Sequence, residues 1–236
     1  MEQAFRRYEF KYILDRNTAW AIRAMLFAHG MEHDPSAKRH LSQNYAVTSL
    51  YFDSPTMGDY SDKAGGFLQR KKIRIRIYEP RLTENTKEIW LEKKSKHEML
   101  ISKIRAPLTH QEYARIIHGD FLETVKNHPV FLPLMAQSMR PVAIVRYVRE
   151  PLVYPHQQNL RITFDSHIET CKSRDLENQC FMQPVTRGET IMEVKFSHAL
   201  PYWFRKIQGE FHISRSAFSK YGRSIESLYR YHPIPR

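Results

Sequence analysis

Short segments that alternate charged with apolar residues constrain this chain more than any other feature. The clearest is Ile73-Arg74-Ile75-Arg76-Ile77, which follows Lys71 and Lys72. Successive side chains on a β-strand point to opposite faces. Arg74 and Arg76 therefore share one face and the isoleucines the other. The same grammar recurs in Arg7-Tyr8-Glu9-Phe10-Lys11, Trp90-Leu91-Glu92-Lys93-Lys94, Ile101-Ser102-Lys103-Ile104-Arg105, Arg161-Ile162-Thr163-Phe164-Asp165 and Met192-Glu193-Val194-Lys195-Phe196. One such strand is ordinarily a solvated sheet face. Six of them, with Glu9, Glu92 and Glu193 set among the cations, point to a shared basic surface for a polyanion. Like charges on neighbouring strands destabilise a sheet unless something offsets them.

The chain has 236 residues and a formal net charge of +12. Its length suits one or two domains, and a β-barrel uses such a length as one; a single domain over residues 1–236 is expected. A strong positive field attracts nucleic acid, anionic lipid or phosphorylated molecules without choosing between them. The two cysteines, Cys171 and Cys180, lack the spacing of a zinc knuckle. No apolar signal segment follows Met1–Arg7, and no stretch is long and apolar enough to span a bilayer. A reduced, cytoplasmic protein is expected, with any membrane attachment made through a partner or a basic patch.

Strands are expected over residues 3–14, 47–52, 67–78, 88–94, 99–105, 142–153, 160–165 and 190–196. Residues 95–97 would form the short connection of a hairpin. Asp15 or Asn17 would cap a helix that ends near Gly30, with Trp20, Ile22, Ala24, Met25 and Ala28 along it. Further helices are expected over 56–63, from Thr109 to His118, over 120–127, after Pro129 or Pro133, from Pro201, and after Ser216 or Ser219. Residues 31–44 read as a loop, and 171–188 are polar without a clear pattern. Trp20, Trp90 and Trp203 are expected in the core. The fold class is α+β: an antiparallel eight-stranded β-barrel, or tunnel, with flanking helices, since closure removes exposed edges.

Arginine grips phosphate oxygens bidentately and lysine acts as a point charge. A carboxylate among such cations needs a base or a divalent cation beside it. Mg²⁺ and Mn²⁺ bridge carboxylates to phosphates. Basic strands with isolated glutamates thus fit a metal–triphosphate site. The twelve histidines show no metal-ligand pairing, and Gly65-Gly66 lacks the Gly-Lys-Ser/Thr ending of a phosphate loop. Lys71-Lys72 could stand outside the charged face and meet an acidic surface.

Taken in order, these segments resemble the triphosphate tunnel metalloenzymes, and within them the VTC-type polyphosphate polymerase domain. The likeness runs from Arg7-Tyr8-Glu9-Phe10-Lys11-Tyr12 through Tyr51-Phe52-Asp53, Arg74-Ile75-Arg76, Glu92-Lys93-Lys94 and Ser102-Lys103-Ile104-Arg105. It continues with Tyr147-Val148-Arg149, Arg161-Ile162-Thr163-Phe164-Asp165, Glu193-Val194-Lys195 and Phe218-Ser219-Lys220-Tyr221. Arg7 stands where the wider superfamily has the first glutamate of Glu-x-Glu-x-Lys, a departure that favours the VTC-type branch and leaves one fewer carboxylate for metal.

The resemblance implies phosphate binding by Lys11, Arg74, Arg76, Lys94, Lys103, Arg149, Arg161, Lys195, Ser219 and Lys220. Among them, Arg74, Arg76, Lys94, Arg161 and Lys220 would assist the chemistry. It implies Glu193 as a ligand for Mn²⁺ or Mg²⁺, with Glu9 assisting. The implied activity transfers the γ-phosphoryl group of ATP to inorganic phosphate or a growing polyphosphate, and the implied partners include membrane proteins. Two alternatives stand beside it. One is a triphosphatase using water in the same tunnel. The other is a non-catalytic module that binds polyphosphate, or nucleic acid through Tyr8, Tyr12, Phe67 and Tyr78. Nucleic acid is not expected, because glutamates on the matching faces repel it.

Overall fold

A computed structural model describes residues 8–97, 100–155, 157–197 and 199–229. Among these residues ten strands run in chain order: β1 (Tyr8–Leu14), β2 (Glu32–His33), β3 (Tyr45–Asp53), β4 (Gln69–Ile77), β5 (Ile89–His97), β6 (Leu100–Leu108), β7 (Arg140–Tyr154), β8 (Gln157–Cys171), β9 (Gln183–Pro184) and β10 (Thr190–Phe196). Eight of them form one row, β1-β10-β8-β7-β3-β4-β5-β6, with β2 on β7 and β9 on β8. The fold is α+β with a large antiparallel sheet and helices beside it.

The expected closure into a barrel is not made by hydrogen bonds. Among the described residues the row ends at β1 on one side and β6 on the other. The sequence of β6 suits an edge: Pro107 has no N–H to donate, and Lys103 and Arg105 discourage further pairing.

The chain packs into two compact units. The first comprises Met1–Ala46, Tyr147–Ile168 and Thr186–Ser219; the second comprises Val47–Arg146, Glu169–Val185 and Lys220–Arg236.

In the first unit, β10 pairs with β1 and with β8. Tyr12 and Leu14 of β1, Ile162 and Phe164 of β8, and Met192 and Val194 of β10 share one face. They pack on Ala19, Ile22 and Leu26 of the helix Arg16–Ala28 and on Phe204 and Ile207 of the helix Tyr202–Glu210. Asp15 caps the first of these helices, accepting from Thr18 N at 2.9 Å. Trp20 is 70% exposed, contrary to expectation, because the buried stripe runs through Ala19, Ile22 and Leu26. The stretch 31–44 is not all loop: it holds β2 and a one-turn helix, Pro35–Lys38. Asp34 caps that turn and Pro35 opens it.

In the second unit, Ile73, Ile75 and Ile77 of β4 and Leu91 of β5 face a core with Tyr113, Ile116, Phe131 and Leu134. Each fully buried isoleucine contributes about 1.5–3 kcal/mol relative to exposure. Thr109 and Glu112 form a reciprocal capping box at the helix His110–Ile117. Residues 95–97, expected as a connection, continue β5, in register with 100–102 of β6. Strand β8 is far longer than the expected 160–165 and reaches Cys171. Cys171 is buried and Cys180 exposed, and neither is in a disulfide. The short helix foreseen after Thr56 is Gly58–Ala64, and the last helix is Lys220–Tyr229.

Candidate functional site: two charged strand faces

Each unit turns the other face of its strands into a charged cluster. In the first unit, Lys11 lies opposite Glu193 and Glu9 opposite Lys195, while Lys195 lies opposite Arg161 and Glu193 opposite Thr163. Glu193 is the hub. Its carboxylate oxygens lie 3.6 Å from Lys11 Nζ, 3.6 Å from Lys195 Nζ and 3.5 Å from Arg149 Nη2. Glu9 Oε1 is 3.4 Å from Lys11 Nζ. Lys11 also donates to the Phe218 carbonyl at 3.1 Å, next to the expected Ser219.

Arg149 meets Asp165 through two parallel bonds of 2.7 Å each. Burial works against its charge, but Asp165, the Tyr147 phenol and Glu193 outweigh that and raise its pKa. Arg161 is arranged differently. It ion-pairs with Asp34 at 3.2 Å, and its Nε is buried with no hydrogen-bond partner. The Asp34 that caps the Pro35–Lys38 turn thus also anchors a candidate phosphate ligand.

In the second unit the hub is Glu92, 1% exposed. Arg74 Nε donates to Glu92 Oε2 at 2.8 Å, and Arg74 Nη2 lies 2.7 Å from the same oxygen. Lys103 Nζ lies 2.5 Å from Oε1, and Arg76 Nη1 lies 3.7 Å from Oε2. Burial disfavours the carboxylate, yet Arg74, Arg76 and Lys103 outweigh it and hold Glu92 well below the usual range. Arg74 Nη1 donates to the Tyr51 hydroxyl at 2.8 Å, and Arg76 Nε to Ser49 Oγ at 3.2 Å. Lys94 shares this face, in register between Lys72 and Lys103.

Lys220 opens the last helix and is 8% exposed. Its charge joins those of Arg74 and Arg76 in lowering the Tyr51 pKa against the effect of burial. The neighbouring Tyr221 stacks on Tyr51 with ring centroids 4.9 Å apart, and its hydroxyl donates to Asp53. Asp53 also accepts from the backbone N–H groups of Ser54, Asp59 and Tyr60 at 2.7, 2.9 and 3.0 Å.

Most of the expected residues thus fall into two sets. Lys11, Arg149 and Lys195 gather on Glu193, with Glu9 held through Lys11; Arg74, Arg76 and Lys103 gather on Glu92. Arg161 pairs instead with Asp34, and Lys220 acts on Tyr51. Sequence reasoning quoted Glu92, Tyr51, Asp53 and Asp165 within its motifs but gave them no role, and it gave none to Ser49. The signal was present in β3, where Ser49, Tyr51 and Asp53 recur at every second position, opposite the Arg-x-Arg strand.

Among the described residues no group of three or more His, Cys, Asp or Glu is placed to hold a metal. Glu193 and Glu9 can supply one or two oxygens, and Asp165 is engaged by Arg149. This donor set fits a hard cation that completes its shell from phosphate oxygens and water, and does not fit one caged by protein. Arg7 lies outside the described residues. No described helix is long and apolar enough to cross a membrane.

A family model, the VTC domain, matches residues 6–229. No curated protein matches the chain in sequence. Among solved structures, a Bacillus halodurans protein named as an adenylate cyclase is similar at 13% identity, with a TM-score of 0.50 over 88% of this chain and 90% of its own. A Hippeastrum protein named as an adenylyl cyclase with a dominant triphosphatase activity is similar at 13% identity, with a TM-score of 0.57 over 93% of this chain and 95% of its own. At such identities these likenesses are of fold.

Proposed function

The chain belongs to the VTC domain family, and from that premise we propose that it is a phosphotransferase that extends polyphosphate with the γ-phosphoryl group of ATP. The observation that carries this reading is the Glu92 hub. One buried carboxylate holds two arginines and a lysine on one face of the β4-β5-β6 sheet before any ligand arrives. Phosphoryl transfer asks little covalent chemistry of a protein and depends on positioned positive charge.

Roles are assigned cluster by cluster. Arg74, Arg76, Lys94, Lys103 and Lys220 bind phosphate oxygens and offset the charge that spreads over them in the transition state. Lys11, Arg149, Arg161, Lys195 and Ser219 bind phosphate in the first unit. Glu193, assisted by Glu9, would hold Mn²⁺ or Mg²⁺, which supplies further neutralisation of the phosphates. An oxygen of the acceptor phosphate attacks the γ-phosphorus and a new P–O bond forms. The bond from that phosphorus to the β,γ-bridging oxygen breaks, and ADP leaves with the electron pair. The acceptor oxygen is already ionised, so no strong general base is needed.

A second reading has water as the acceptor, giving a triphosphatase; the triphosphatase activity named for the Hippeastrum neighbour supports it. Incubation with ATP and Mn²⁺, followed by a gel for polyphosphate and an assay for free phosphate, separates them. Polyphosphate with matching ADP supports the transferase. Free phosphate without polyphosphate supports the triphosphatase. Binding of tripolyphosphate without turnover of ATP overturns both in favour of a binding module.

A further inference from the structure

The free end of the β4–β5 ribbon carries a run of cations that the assignment above leaves unused. The registers set Gln69 opposite His97, Arg70 opposite Lys96 and Lys71 opposite Ser95. Alternation puts Gln69, Lys71, Lys93, Ser95 and His97 on the face of Ile73 and Leu91, the reverse of the face that carries Arg74 and Glu92. A groove of about 480 Å³ opens at this end of the ribbon. Lys71 and Lys93 line it from that face, and Arg70 and Lys96 from the face that carries Arg74, against one lining carboxylate from Asp62.

Two of these cations show the crowding. Lys71 is matched at 2.6 Å by Asp59, which is 2% exposed. Lys93 donates to the Val130 carbonyl at 3.0 Å. Burial first, and then the positive charge of Lys71, make it a weaker base than an ordinary lysine. Cations so placed on paired strands favour an anion between them.

We infer that this groove is a second anion site, displaced along the ribbon from the Glu92 hub, and that it takes a condensed phosphate chain. Besides the cations, its lining offers Gln69, Ser95 and His97 as hydrogen-bonding groups, and no Phe, Tyr or Trp is among the described lining residues. Sites for single-stranded nucleic acid join a basic groove to aromatic platforms on which bases stack. A ligand of many charged oxygens and no rings fits this lining better. The choice of condensed phosphate among ring-free polyanions rests on the proposed function; the site itself rests on the groove.

The test is equilibrium binding of a linear polyphosphate to the whole chain, wild type against Lys93→Gln/Lys96→Gln and against Arg74→Ala. Hydrogen exchange of residues 69–72 and 93–97 is followed in parallel. Two classes of binding are expected in the wild type. Arg74→Ala should keep the class that protects 69–72 and 93–97, whereas Lys93→Gln/Lys96→Gln should weaken it several-fold. Lys93→Arg/Lys96→Arg should restore it, which separates lost charge from lost folding. The inference is overturned if the Gln pair, folded by circular dichroism, binds as the wild type does. It is also overturned if a single-stranded oligonucleotide of equal charge displaces polyphosphate from the groove. ATP turnover is scored separately: its absence with groove binding intact defeats the proposed function alone.

Discussion

Lys103 sets its ammonium 2.5 Å from Glu92 Oε1 and still loses its proton more easily than an ordinary lysine, at about 8. The side chain is 41% exposed, and its partial burial still strips water from the charge. That desolvation, with the like charges of Arg76 and Arg74, outweighs the attraction of Glu92. The unliganded protein therefore changes the charge of its Glu92 cluster near pH 8. Tripolyphosphate affinity is expected to fall as pH rises through about 8. Lys103→Gln should flatten that fall, and Lys103→Arg should move it out of range. Calorimetric titrations across pH check it. The sign for stability is the opposite: the unfolded chain binds the extra proton between about 8 and 10.5, so this group adds stability as pH rises through that window.

Glu92→Gln should be among the most damaging single changes in the second unit. It leaves Arg74, Arg76 and Lys103 facing one another without their shared counter-charge. Removing one partner of a buried ion pair costs roughly 3–5 kcal/mol. The native carboxyl is held far below its ordinary 4.5, so its stabilising contribution is complete above that pH and is lost as pH falls below it. Thermal melts from neutral to acid pH should show the wild type losing stability and the variant, lower at the start, losing less.

Arg149→Lys should not rescue Arg149→Ala. Asp165 is wholly buried and takes two parallel bonds from one guanidinium, a geometry that an ammonium cannot reproduce. Both variants are expected to lose about 3 kcal/mol or more against urea. A lysine variant as stable as the wild type would show that charge alone suffices.

Glu193→Gln separates metal binding from phosphate binding. The variant should need a much higher Mn²⁺ concentration for half-maximal turnover of ATP and should bind tripolyphosphate without metal at least as tightly as the wild type. Equal metal requirements in the two proteins would remove Glu193 from that role.

Tyr221→Phe keeps the ring on Tyr51 and removes one hydrogen bond to Asp53. The expected cost is about 1.5–3 kcal/mol, because the acceptor is a buried carboxylate. Arg74-dependent anion binding should be largely unchanged, since Arg74 donates to the Tyr51 hydroxyl, which the variant keeps.

Much of this was legible in the chain because alternation is a local signal. The expected segment over 190–196 matches β10 end for end, and Asp15 and Thr109 cap where their chemistry said they would. The unread features needed partners distant in sequence. Glu92 looks like one more glutamate until β4 and β6 bring three cations to it. Asp34 looks like a loop residue until Arg161 reaches it. Trp20 misled because an exposed tryptophan and a buried one carry the same letter, and only the neighbouring stripe decides between them. The row of strands is visible in the sequence; whether its ends join by hydrogen bonds is not, because edges differ from paired strands mainly by small cues such as Pro107.

The bond from Tyr221 to Asp53 joins positions 168 residues apart. A growing chain emerging from the ribosome has Arg74, Glu92 and Lys103 long before it has the ring that covers Tyr51. Contacts of such long sequence separation form late and slowly. The Glu92 cluster therefore waits on a segment synthesised much later, and a product truncated before Tyr221 would carry Arg74, Arg76 and Lys103 beside a Tyr51 without its stacking partner.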